Sequence, residues 1–120
     1  MNAGKIATYI EDLTKKAFKN ERFLNYDEVF IARFLGIKEY AKVKVIEISR
    51  GDFKGMLNEE ANKLLEKFGL VKATTNAITF ANMIFIFKSE DVKKTIAHEL
   101  VHVFQYERFG VDRFVQEYLN

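Results

Sequence analysis

Ala97-His98-Glu99-Leu100-Val101-His102-Val103-Phe104-Gln105-Tyr106-Glu107-Arg108 contains both histidines of the 120-residue chain, four residues apart, with a glutamate directly after the first. Random placement gives this H-E-x-x-H arrangement in roughly 1 chain in 600. The stretch also has helical periodicity. Measured from His98 at about 100° per residue, Ile96, Leu100, Val103 and Phe104 fall between about 140° and about 240°, while His102 returns to about 40°. One face of the predicted helix is apolar. The opposite face carries two imidazoles on successive turns, with Gln105 at about 340° on the same side.

Two imidazoles one turn apart can share a metal ion. Glu99 lies about 100° round from His98. From there its carboxylate reaches a water that the ion activates, which is where a general base is needed. The spacing therefore fits a zinc centre with His98 and His102 as ligands and Glu99 as the general base of amide hydrolysis, the alternatives being a structural metal site without catalysis and a helix whose histidines merely pack or cap. Iron, nickel or cobalt accept the same ligands, but two imidazoles and a carboxylate suit zinc. Cysteine is absent, so the third protein ligand comes from Asp or Glu. Glu117 is the preferred one, because a tight turn at Gly110 brings its segment back beside the first helix. Glu107, at about 180°, is expected to face the core and to partner an Arg or Lys, which makes it a poor ligand. Gln105, Glu107, Tyr106 and Tyr118 are supporting candidates, the two phenols as donors to a tetrahedral oxyanion.

Outward from the motif, Ile78-Thr79-Phe80 and Met83 to Phe87 flank Ala81-Asn82, giving either a short hairpin or one long bent strand. Ser89, Glu90 and Asp91 offer an N-cap and acidic first turn for the motif helix, expected to run to about Tyr106. Gly110 breaks it before a short helix from Val111 to Leu119. Upstream, Lys5 to Lys19 reads as an amphipathic helix. A second helix is capped by Asn25, carries Glu28 at its third position and stops at Gly36. Lys42 to Ile48 is β-branched and reads as a strand, followed by a turn-like Arg50-Gly51-Asp52. That tripeptide also matches an adhesion motif, which three residues do often by chance. Asn58 to Phe68, with a stop at Gly69, is a third helix. These segments make an α+β chain with a small sheet or hairpin packed on the motif helix.

The segments Ile78 to Phe85 and Ala97 to Arg108 together resemble the small prokaryotic zincin-like metallopeptidase domains with an H-E-L-x-H-V-x-Q core. The resemblance covers about 75–119. It implies that His98 and His102 bind zinc, that Glu99 is the catalytic acid/base, and that the strand before the helix holds an extended peptide by strand addition. In the gluzincin branch of such domains the third ligand is a glutamate on a following helix, and Glu117 is the matching position. Many domains of this kind continue further and place that ligand in the later segment. The chain accordingly reads as a minimal version, a fragment, or a domain with an incomplete metal site. The expected organisation is one zincin-like domain over 1–120, with the zinc-site half at about 75–120. The alternative to a peptidase is a non-catalytic zincin-like interaction or accessory domain.

Composition narrows the partners. With 48% hydrophobic and 30% charged residues the chain has an ordinary globular mixture, and 12 Phe with no Trp predict a Phe-rich core. Basic and acidic residues number 19 and 17 and are interspersed, which disfavours nucleic acid. The longest largely apolar stretch, Ala77 to Phe87, is far shorter than the roughly 20 residues of a membrane span. The N-terminal residues do not read as a signal peptide. The expectation is a cytoplasmic protein acting on a peptide or protein substrate.

Overall fold

The computed structural model describes residues 3–67, 76–87 and 92–119. Six helices, α1 (Ala3–Thr14), α2 (Tyr26–Leu35), α3 (Arg50–Met56), α4 (Glu59–Lys67), α5 (Val92–Phe109) and α6 (Val111–Leu119), surround four strands, β1 (Glu21–Phe23), β2 (Lys44–Glu47), β3 (Ala77–Phe80) and β4 (Met83–Ile86). The strands form one mixed sheet in the order β1-β2-β4-β3. β2 and β4 are parallel, with Val45 opposite Ile84, and the outer strands β1 and β3 are antiparallel to their neighbours. The chain is thus α+β, as its sequence predicts. Of the two readings of the segment before the motif helix, the hairpin is the one formed: Ala81 takes φ 57° in the two-residue turn.

Side-chain alternation along the strands divides the core into two layers. Ile46, Met83, Phe85, Ile78 and Phe80 face Ile6 and Ile10 of α1, Phe53 of α3, Leu65 of α4 and Val115 of α6. Val45, Ile84 and Ile86 face Ala32 of α2 and Ile96, Leu100 and Val103 of α5. The first layer is Phe-rich: the Phe53 ring meets those of Phe80, Phe85 and Phe87 at centroid distances of 6.1, 5.2 and 4.9 Å. Burying each large apolar side chain contributes about 1.5–3 kcal/mol, and this burial clamps α5 onto the sheet.

Local chemistry sets the helix ends. Asn25 Oδ1 accepts the Glu28 amide while the Glu28 carboxylate accepts the Asn25 amide, a complete capping box, and α2 ends at Gly36 with φ 93°. Gly110, φ 80°, separates α5 from α6. α5 extends one turn past the expected Tyr106, and its proposed N-cap segment, Ser89 to Asp91, lies outside the described residues, as does Gly69. α1 is shorter than expected, ending at Thr14, whose hydroxyl turns back to the Glu11 carbonyl at 2.6 Å. Arg50-Gly51-Asp52 is not a turn but the first turn of α3, because the Ser49 hydroxyl caps it by accepting the Asp52 amide. β1 was not anticipated.

Candidate metal centre

The site is built on α5, whose buried stripe of Ile96, Leu100 and Val103 fixes the helix's rotation against the sheet. With that face inward, His98 points to solvent and His102 is half-buried. Their ring centroids are 5.4 Å apart. Glu99, on the flank between, is buried at 7% exposure. One ligand atom from each of His98, Glu99 and His102 lies within 4.8 Å of the other two. Zinc bonds of about 2.0–2.2 Å set donor atoms roughly 3–4 Å apart. The group could hold a metal ion.

Two neighbours orient the group. Thr79 alternates with Ile78 and Phe80 along β3, so its side chain takes the α5 side of the sheet. There its hydroxyl donates to Glu99 Oε1 at 2.9 Å and lies 3.3 Å from the Glu99 carbonyl oxygen. The second carboxylate oxygen, Oε2, is 3.8 Å from His98 Nε2. His102 Nδ1 is 2.9 Å from Gln105 Oε1. An Nδ1–H donating to that amide oxygen makes Nε2 the unprotonated nitrogen, the form that ligates metal. Among the described residues no buried side-chain nitrogen or oxygen lacks a hydrogen-bond partner.

The other expected residues divide. α6 turns back along α5 after Gly110. Phe114 stacks on Tyr106 at 3.8 Å and stands 6.3 Å from the His102 ring. Glu117, three residues and about 4.5 Å of helix rise beyond Phe114, is exposed, and it is not part of the three-residue donor group. Tyr106 is buried and packs on Phe114. The side chain of Tyr118 lies outside the described residues. Glu107 departs from expectation. It is exposed, and instead of an Arg or Lys its carboxylate accepts the backbone amides of Lys38 at 2.7 Å and Glu39 at 2.9 Å. An 18-residue helix is about 27 Å long and a four-residue strand about 13 Å, so the inward azimuth of Glu107 falls beyond the sheet, against the chain leaving α2. Thr79 is the residue that sequence reasoning missed. The only signal was its place as the single polar side chain among Ile78, Phe80 and the apolar strand that follows.

Fold and site together define an α+β domain with a histidine-carboxylate donor group on one helix, braced by a strand that ends the sheet among the described residues. No protein-family profile, curated protein or solved structure matches the chain. Among the described residues no helix is long and apolar enough to cross a membrane.

Proposed function

We propose that the chain is a zinc-dependent peptidase of the zincin type. The observation that carries this reading is the union of the histidine pair with a buried glutamate whose one carboxylate oxygen is occupied by Thr79 while the other faces His98. His98 and His102 would hold zinc, and Glu117 on α6 is the proposed third ligand. When bound, zinc supplies Lewis acidity, making water nucleophilic near neutral pH and polarising the scissile carbonyl. Glu99 takes the proton of the attacking water at Oε2 and returns it to the leaving amine. Thr79 holds Oε1, so the carboxylate cannot rotate away between those two transfers. Gln105 keeps His102 in its ligating tautomer. Among the described residues β3 has a neighbouring strand on one side only, and it adjoins α5, a place where an extended peptide substrate would add as a further strand.

A second reading, a non-catalytic zincin-like interaction or accessory domain, is favoured by the donor group itself: it contains Glu99 and leaves out Glu117. In that reading Glu99 ligates the metal. One substitution separates the two. Glu99→Gln in the peptidase retains zinc and loses about 10²–10⁴-fold in cleavage of a peptide library. Loss of zinc, or library cleavage equal in both proteins, contradicts the peptidase reading.

A further inference from the structure

The outward face of α2 is aromatic. Tyr26, Phe30 and Phe34 recur every four residues along one stripe and are 88%, 69% and 83% exposed. The inward face packs through Ala32 onto the layer shared with α5. Tyr26, Val29, Phe30, Arg33 and Phe34 line a single shallow groove. The exposed fractions of the three rings amount to about 2.4 whole aromatic side chains, roughly 480 Å² at about 200 Å² each. This is within the range of the largest apolar patch on a typical monomer. The His98-Glu99-His102 group makes no use of it.

We propose that this stripe is a homodimer interface, with two α2 helices packed antiparallel about a twofold axis through Phe30. A twofold interface must be complementary to itself, and this one is. Tyr26 and Phe34 lie four residues to either side of Phe30, so reversing the helix sets Tyr26 of one copy at the height of Phe34 of the other, with the two Phe30 rings meeting at the axis. Arg33 and Tyr26 lie on the same flank of the stripe, about 60° and about 40° from Phe30. In the antiparallel pair, Arg33, whose guanidinium lies 5.9 Å from the Tyr40 ring of its own chain, comes level with the Tyr26 ring of the other copy. The acidic groups on α2 do not oppose this: Asp27 faces Lys93 at 3.8 Å and Glu28 is paired with Arg22 at 2.7 Å. With Val29 and Arg33 added to the rings, each copy offers roughly 600 Å², so the pair reaches about 1,200 Å², the low end of a standard stable interface.

Sedimentation equilibrium of the 120-residue chain, over about 1–100 µM, tests the proposal. The wild type is expected to reach twice the chain mass within that range. Phe30→Glu puts two carboxylates face to face at the axis and should weaken association at least about 30-fold, the loss typical of a central interface aromatic. Phe34→Glu, at a still more exposed position, should act in the same direction, with the far-UV circular dichroism of both variants unchanged. Mixing Phe30→Glu with Phe30→Lys should restore a dimer containing one chain of each. Three results overturn the proposal: a wild type that sediments at the single-chain mass throughout, a dimer that both glutamate variants leave intact, or a charge-swapped mixture that stays monomeric. A monomeric wild type whose stripe instead captures a different macromolecule also overturns it.

Discussion

Replacing Thr79 by valine removes one hydroxyl and little volume, which isolates the bond that holds Glu99. In the structure that hydroxyl donates to Glu99 Oε1 at 2.9 Å, and both residues are buried. A hydrogen bond to a charged group contributes about 1.5–3 kcal/mol, and valine leaves the carboxylate oxygen desolvated with no donor in its place. At about 2.1 cal/mol/K of unfolding entropy per residue, a loss of that size in a 120-residue chain lowers Tm by about 6–12 °C. Thr79→Ser keeps the donor and should recover most of the loss. The assay is urea unfolding followed by circular dichroism in a chelator, so that metal binding does not add to the stability. A double-mutant cycle with Glu99→Ala, which removes the acceptor, should return a coupling of at least about 1 kcal/mol. If Thr79→Val stays within about 0.5 kcal/mol of wild type, or the coupling vanishes, Thr79 is not what holds Glu99 and the proposed control of its orientation fails.

Further predictions concern the frame around the site. Burial works to raise the Glu28 carboxyl, but the Arg22 fork, the Asn25 amide and the Arg22 charge outweigh it and hold the group below its ordinary value. The unfolded chain therefore binds this proton first as pH falls. The contribution is complete above about pH 5 and declines as the pH drops through the ordinary Glu value of about 4.3 and on to the folded value. Glu28→Gln should cost about 1–3 kcal/mol at pH 7 and less at pH 3. Equal or larger cost at pH 3, by urea unfolding, contradicts the assignment. Gly36→Ala places a Cβ at φ 93° and 3.4 Å from Phe104 Cε1, at an expected cost of about 1–2 kcal/mol. Gly55→Ala in α3 meets nothing within 4 Å and should be neutral or stabilising by up to about 1 kcal/mol. Thermal denaturation of the pair checks both, and a reversed order refutes the backbone argument.

What was legible in the sequence was local. The Asn25 and Glu28 capping box, the Gly36 stop, the Gly110 break and the face of α5 that packs inward all depend on residues within about one turn of one another, and all stand in the structure. β1 was invisible because three residues carry no usable alternation, and the strand exists through pairing with β2 some 20 residues away. Arg50-Gly51-Asp52 misled because glycine suggested a turn, although the Ser49 cap three residues before Asp52 was in plain view. Glu107 was expected to face the core and pair with an Arg or Lys, but it is exposed and accepts the amides of Lys38 and Glu39, which come from a distant part of the chain. The histidines and Glu99 were legible from spacing alone. Thr79 was not, because only the register of the β3–β4 hairpin and the packing of α5 on the sheet bring it to Glu99.

The central claim is that His98 and His102 hold one metal ion. Elemental analysis of untagged protein after zinc loading and exhaustive dialysis measures this directly, with His98→Ala and His102→Ala alongside. The account predicts about one zinc per wild-type chain and loss of that zinc in each variant while the helical circular dichroism persists. A wild type that retains no zinc, or variants that retain it in full, would contradict the account.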